Sequence, residues 1–282
     1  MHNIQGTTKL FLDSGNQLET KQILDRGFLL DGQTTNPSLV AKSPLFQQRV
    51  AKGGVAIEEL FSLYKETVLK IHEYIPTGSL SVEVYAGADS TVDDLVSQAH
   101  MMKRWFANPF IKLPITSAGL QAAHILVKEG TNVNMTLCFT QEQAMAVHQA
   151  TLGAKPGQVY VSPFVGRLDD QGKNGVDLIR HIIQHYKNVA SNVHVLSASI
   201  RSVEHIKQVV QAGTHIMTVP FKVFDLLAET TEESASSVSE LEPIPFQKID
   251  YTAPWEGLNI KHELTDSGLA TFKKDWDDLL KS

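Results

Sequence analysis

Asn108-Pro109-Phe110-Ile111-Lys112-Leu113-Pro114-Ile115-Thr116 reads as a short buried strand with one amine at its centre. Burying a charged amine without a partner is costly, and the usual response is a lowered pKa. A neutral amine is a nucleophile that condenses with a ketone or aldehyde to give a Schiff base. The plainer reading puts Lys112 at a strand end, its stem on apolar surface and its head in water. One lysine is not a motif, so the rest of the chain has to decide between the two.

On both sides of this run the chain alternates short β-branched segments with longer amphipathic ones, the signature of repeated βα units. Eight candidate strands stand out: Lys9–Asp13, Gly27–Asp31, Ser79–Tyr85, Phe110–Ile115, Asn132–Phe139, Val159–Pro163, Val193–Ser197 and Thr214–Val219. Apolar residues at helical spacing follow most of them. Thr91–Phe106 carries Val92, Leu95, Val96, Ala99 and Met102, and Ser117–Glu129 runs to a stop at Gly130. Gln141–Leu152, Gly175–Tyr186 and Val203–Ala212 repeat the pattern. Eight such repeats predict an α/β protein, a single (β/α)8 TIM barrel with an additional C-terminal helix. No Gly-x-Gly-x-x-Gly turn follows an early strand, which argues against a dinucleotide-binding sheet.

Residues 1–228 are accordingly assigned to the catalytic barrel and 229–263 to an irregular linker, rich first in Glu, Ser and Thr and then in proline. Residues 264–282 are read as a helix with an apolar stripe of Phe272, Trp276, Leu279 and Leu280, packing on the barrel or on a neighbouring subunit.

Composition sets outer limits. With 282 residues, 42% hydrophobic and 20% charged, the chain has the make-up of a soluble globular protein. No membrane-spanning run is present, and Met1–Gly6 lacks the pattern of a secretory signal. The single cysteine, Cys138, is read as a buried core residue and fits a cytoplasmic setting. A net charge of −6 argues against nucleic acid as a partner. Small anions remain compatible with it, because local arginines override the overall balance. His181 and His185 have ligand-like spacing but no third ligand, and the expectation is a solvated helix face.

In a (β/α)8 barrel, catalytic residues gather at the C-terminal ends of the strands. There the sequence offers Asp13, Asn36, Glu83, Lys112, Asn134, Thr136, Ser162, Arg167, Ser199 and Arg201. Each has an ordinary explanation alone: a helix cap for Asp13, an X-Pro turn for Asn36, strand propensity for Thr136, surface pairing for the arginines. Together, two carboxylates, a buried amine and several amides and hydroxyls suit Schiff-base carbon chemistry. Lys112 would attack a ketose carbonyl, Glu83 would move protons through a bound water, and Asp13 would take the hydroxyl proton that starts C–C cleavage. Asn36, Asn134 and Ser162 would hold sugar hydroxyls, and Arg167 and Arg201, with Ser199, a terminal phosphate.

The runs Phe11-Leu12-Asp13-Ser14, Thr34-Thr35-Asn36-Pro37-Ser38, Ile111-Lys112-Leu113-Pro114, Asn134-Met135-Thr136-Leu137, Ser162-Pro163-Phe164-Val165-Gly166-Arg167 and Ser199-Ile200-Arg201 resemble those of transaldolases, in order, across roughly residues 8 to 225. The resemblance implies transfer of a dihydroxyacetone unit from fructose 6-phosphate or sedoheptulose 7-phosphate to an aldose phosphate. It implies a lysine Schiff base, no metal or organic cofactor, and a place in the pentose phosphate pathway. Sugar phosphates are then the expected partners, and a homo-oligomer the expected assembly. By position, Lys112 matches the Schiff-base residue, and Asp13, Glu83 and Thr136 the acid/base and water-holding ones. Asn36, Asn134 and Ser162 match donor-binding positions, and Arg167, Ser199 and Arg201 the phosphate site.

The alternative is cleavage by a related fructose-6-phosphate aldolase, which releases free dihydroxyacetone. Those enzymes carry glutamine at the position of Glu83 and tyrosine at that of Phe164, so both residues here are of the transferase type. A tyrosine hydroxyl can help protonate an enamine or hold a water, and phenylalanine cannot.

Overall fold

The computed structural model describes residues 7–51, 53–229 and 241–280. The first strands and helices are β1 (Lys9–Asp13), α1 (Gln17–Asp25), β2 (Gly32–Thr34), α2 (Pro37–Ala41), α3 (Pro44–Val50), α4 (Ile57–Tyr74) and β3 (Ser79–Glu83). Next come α5 (Val92–Met102), β4 (Phe110–Pro114), α6 (Ser117–Lys128), β5 (Asn132–Cys138), α7 (Gln141–Ala150) and β6 (Val159–Pro163). They are followed by α8 (Val165–Asp169), α9 (Gly175–Asn188), β7 (His194–Ser197), α10 (Val203–Gln211), β8 (Ile216–Pro220) and α11 (Phe221–Glu229), with α12 (Glu263–Asp277) at the end. All eight strands are parallel and close in sequence order, β8 pairing back to β1. The fold is the expected (β/α)8 barrel.

Neighbouring parallel strands in register present their paired residues to the same face, so the register decides what meets inside the barrel. Glu83 is paired with Lys112, Lys112 with Asn134, and Pro114 with Thr136 one layer higher. Asp13 is paired with Thr34. Below these polar layers the interior is closed by aromatic rings, with Phe110 stacked on Tyr160 at 4.0 Å and Phe11 edge-on to Tyr160 at 6.3 Å. The apolar floor excludes water beneath the polar residues, which therefore work in a low-dielectric setting.

Two local expectations are corrected. Gly27–Asp31 is not a strand. Gly27, at φ +82°, stops α1 in the left-handed conformation, with the Phe28 N–H bonded back to the Ile23 carbonyl. The strand that follows is only Gly32-Gln33-Thr34, whose polar composition hides it. Gln33 is wholly buried because its amide donates to the Ser14 carbonyl and accepts from the Thr20 hydroxyl.

The second correction concerns His181 and His185, which do not form a solvated face. His185 is 1% exposed and sits between the Tyr251 hydroxyl at 2.8 Å and Gln141 Oε1 at 3.0 Å, while His181 bonds to the Ile244 carbonyl. The segment from residue 241 to α12 lies against α7 and α9, and these imidazoles hold it there. Its docking is reinforced by Gln141 Nε2 donating to the Pro245 carbonyl and Gln143 Nε2 to that of Ile260.

Residues 230–240, most of the Glu-, Ser- and Thr-rich stretch, and the last two residues lie outside the described part. Cys138 is fully buried, and its burial pushes the thiol up to about 12. Among the described residues no helix is long and apolar enough to cross a membrane.

α12 packs against α2 and β5 near the mouth of the barrel. Trp276 is fully buried, edge-on to Phe61 and Tyr64 and stacked on Tyr85 at 5.7 Å. A buried indole of this size makes the helix an integral part of the core.

Candidate active site

Lys112 is 4% exposed, which removes the plainer reading of a strand-end lysine with its head in water. Its Nζ lies 2.9 Å from Glu83 Oε2 and 3.4 Å from the Thr35 carbonyl. From above, the Phe272 ring of α12 covers it, 5.9 Å from the ammonium to the centroid. The amine is therefore buried with a partner.

Both carboxylates nearby are held above their ordinary range. Burial is the main cause for Glu83; the charge and hydrogen bond of Lys112 oppose it, and Asp13 adds to it. Burial likewise raises Asp13, against the charge of Lys112 and a hydrogen bond from the Thr34 hydroxyl at 2.7 Å. The single Thr34 proton goes to Asp13, so Thr218, 2.6 Å from Thr34, must donate to it. A buried carboxyl held above its ordinary range beside a buried amine is a setting suited to proton exchange.

On the next wall, Ser162 donates to Asn134 Oδ1 at 2.6 Å and Asn134 Nδ2 donates to Ser81 at 3.1 Å. Thr136 Oγ1 is buried with no protein partner. A buried hydroxyl in a polar barrel interior normally has a hydrogen-bond partner, so this atom marks a place for a water or a substrate atom. Asn36 caps α2, its Oδ1 accepting from the Leu39 N–H at 2.9 Å.

The outer part of the site is cationic. Arg167 is half-buried with its guanidinium over the Phe164 ring at 5.5 Å and near that of Phe272 at 5.9 Å. Burial, and then the charge of Arg201, hold it below its usual range, so a dianion placed between the two arginines would relieve both effects. Arg201 pairs with Asp170 at 2.8 Å, its Nε lies 3.4 Å from Ser199 Oγ, and its N–H donates to His205, itself bonded to Asp169. Gly268 of α12 lies close to Arg167. A β-carbon there would stand 2.7 Å from Leu137 Cδ2 and 2.8 Å from Arg167 Nη1.

A cavity of about 330 Å³ joins Asp13, Asn36, Lys112, Ser162, Phe164, Arg167, Ser199 and Arg201 at the C-terminal end of the barrel. Glu83 contacts Lys112, and Asn134 contacts Ser162, just inside that wall. Ten of the eleven residues singled out for the site thus converge on one region, and Thr136 sits two residues beyond Asn134 on the same strand, paired with Pro114.

The same cavity is lined by residues that the sequence did not assign to the site: Thr34, Lys42, Thr218, Lys222, Phe272 and Asp275. Lys222 follows β8 and could have been found from its place at a strand end. Phe272 and Asp275 carried no such signal, because only the docking of α12 brings them to the mouth.

The chain is similar to known proteins along nearly its whole length. The family described as Transaldolase/Fructose-6-phosphate aldolase matches residues 10–282. A protein of Dehalococcoides mccartyi named "Probable transaldolase" is 36% identical over 273 residues, covering 97% of this chain and 100% of that protein. A "Probable transaldolase" of Herpetosiphon aurantiacus is 34% identical over 271 residues, 96% of each chain. A "Probable transaldolase 2" of Listeria monocytogenes is 34% identical over 269 residues, covering 95% of this chain and 96% of that one.

Proposed function

The chain belongs to the transaldolase/fructose-6-phosphate aldolase family, and we propose that it transfers a dihydroxyacetone unit from a ketose phosphate to an aldose phosphate through a Schiff base on Lys112. The observation that carries this reading is the buried contact between the Lys112 amine and the Glu83 carboxylate at 2.9 Å. In this reading the attacking amine and a group able to take its proton share one water-poor place.

The steps follow from the positions. Glu83 takes a proton from the Lys112 ammonium, and the free amine adds to the ketose C2 carbonyl. The carbinolamine then loses water to an iminium, the proton for the leaving hydroxyl coming from Glu83 through a water held near Thr136. Asp13 removes the proton of the C4 hydroxyl, the C3–C4 bond breaks, and its electron pair moves into an enamine on Lys112. The shortened aldose phosphate departs from Arg167, Ser199 and Arg201. An acceptor aldehyde takes its place, the enamine attacks its carbonyl carbon, and Asp13 returns the proton. Hydrolysis of the new iminium frees the product and restores Lys112. Asn36, Asn134 and Ser162 orient the donor hydroxyls throughout.

Phe164 supports transfer over simple cleavage. It is 7% exposed and packs on Phe139 at 5.6 Å, so the enamine faces a ring without a hydroxyl at that position. The test is an assay with fructose 6-phosphate and erythrose 4-phosphate. Transfer gives sedoheptulose 7-phosphate and glyceraldehyde 3-phosphate in equal amounts with little free dihydroxyacetone. Free dihydroxyacetone as the main product, whether or not the acceptor is present, would replace transfer by cleavage.

A further inference from the structure

Lys112 Nζ meets two oxygen atoms, the Glu83 carboxylate at 2.9 Å and the Thr35 carbonyl at 3.4 Å. Both residues are tied to one phenol from outside the sheet, that of Tyr64 on α4. Tyr64 Oη accepts from the backbone N–H of Glu83 at 2.8 Å and lies 2.6 Å from Thr35 Oγ1. Counting protons fixes the sense of the second bond. The only hydroxyl proton of Thr35 goes to the Ser81 carbonyl at 2.8 Å, so the phenol must donate to Thr35. Tyr64 therefore spends its one proton on Thr35 and a lone pair on Glu83.

The register explains why a phenol is needed there. Pairing between β2 and β3 ends at Thr34 with Ser81, because the chain leaves the sheet at Asn36 to cap α2. Val84 N–H bonds toward β4, at the Lys112 carbonyl, and Thr35 N–H bonds to the Ser81 carbonyl. Alternation along β3 turns the Glu83 N–H toward β2, where no strand acceptor remains. Tyr64 supplies the missing acceptor. Its ring is fully buried, edge-on to Trp105 at 5.4 Å and to Trp276 of α12 at 5.5 Å, so it has little freedom to move.

We infer that Tyr64 is a positioning residue for the Schiff-base step: its hydroxyl sets where the Glu83 carboxylate and the Thr35 carbonyl stand around Lys112. Tyr64 does not line the cavity, so it acts through these two residues and not on the substrate. The inference rests on Lys112 being the nucleophile. It also links α12 to the chemistry, because Trp276 closes the pocket in which the phenol sits.

The experiment compares Tyr64→Phe, Thr35→Val and Thr35→Ser with the unmodified enzyme in the transfer assay, alongside borohydride trapping of the unmodified enzyme with fructose 6-phosphate. Tyr64→Phe and Thr35→Val should each lower kcat by about tenfold to a hundredfold, the scale on which small misplacement of reacting groups acts. The donor KM should stay within about twofold, because the proposed phosphate contacts lie on α8 and in the loop between β7 and α10 and are untouched. Thr35→Ser keeps the hydroxyl and should restore kcat to within about threefold of the unmodified enzyme. Should Tyr64→Phe fail to fold, the Thr35 pair decides alone.

An unchanged kcat in Tyr64→Phe or Thr35→Val, or a Thr35→Ser as impaired as Thr35→Val, overturns the positioning role while trapping on Lys112 still stands. Absence of any trapped lysine in the unmodified enzyme removes the Schiff-base reading and the positioning role with it.

Discussion

Lys112 Nζ and Glu83 Oε2 stand 2.9 Å apart inside the barrel, with side chains 5% and 3% exposed. A buried ion pair of this kind is poor evidence for stability, since desolvation of both charges can exceed their attraction. For Glu83 burial is the larger effect, because the carboxyl is held above its ordinary range despite the lysine. A pair held at such a cost is accounted for by the proposed chemistry more than by folding.

Asp13 gives a stability prediction with a definite sign. Its carboxyl is raised above 3.8 by burial, against Lys112 and Thr34. A carboxyl raised in the folded state contributes stability that is fully present below its unfolded pKa and is lost as pH rises through the folded one. Asp13→Asn should therefore be more stable than the unmodified protein at pH 7, by about 0.5–2 kcal/mol as is common when a functional position is relieved. That gain should vanish as pH falls below about 4, the ordinary range of an aspartate. Thermal unfolding at several pH values measures this, and the same variant should lose C–C cleavage. A variant less stable at pH 7 than at pH 4 relative to the unmodified protein would contradict it.

Gly268 predicts a change in binding more than in stability. Alanine in a helix gains about 1 kcal/mol over glycine, and overpacking offsets about 1–3 kcal/mol. The atoms that must move are the flexible ends of Leu137 and Arg167. Gly268→Ala should raise KM for fructose 6-phosphate about tenfold, equivalent to about 1.4 kcal/mol of a charge-assisted contact. Its kcat with saturating donor should change little, as steady-state kinetics will show.

Asp170 occupies Arg201 where a phosphate is expected to bind. The pair is exposed, 45% and 59%, and such pairs are worth about 0–1 kcal/mol. Asp170→Asn should accordingly tighten binding of inorganic phosphate, measured as a competitive inhibition constant, by no more than about fivefold. Weaker phosphate inhibition in this variant would mean that Asp170 helps to orient Arg201.

Much of the fold was legible because strands buried on both faces and amphipathic helices alternate with little ambiguity. Val159–Pro163 is read with the bounds found in the structure. β2 was misplaced because a glycine, a glutamine and a threonine do not look like a buried strand, and their burial depends on partners in β1 and α1. His181 and His185 looked solvated because the segment that covers them is distant in sequence and has no periodicity of its own. The residues of the proposed site were readable from their places at strand ends, where polar residues interrupt apolar runs. Tyr64 and Phe272 were not, since one reaches the centre through a strand gap and the other through the docking of α12.

Phe164 is the proposed determinant of transfer against release. Its ring lies under the Arg167 guanidinium and beside Phe139, and it lines the cavity. Phe164→Tyr should raise the ratio of free dihydroxyacetone to transferred product at least several-fold, within the roughly hundredfold span of a single proton-transfer contribution. Quantifying both products from one reaction measures the ratio, and an unchanged value would place the determinant elsewhere.

The Schiff base itself is tested most directly by reducing the enzyme with borohydride in the presence of fructose 6-phosphate and mapping the product by peptide mass spectrometry. The proposed mechanism predicts one reduced three-carbon adduct, on Lys112, that is lost in Lys112→Ala. No adduct on Lys112 under conditions where the donor binds, or an adduct on a different lysine, would contradict it.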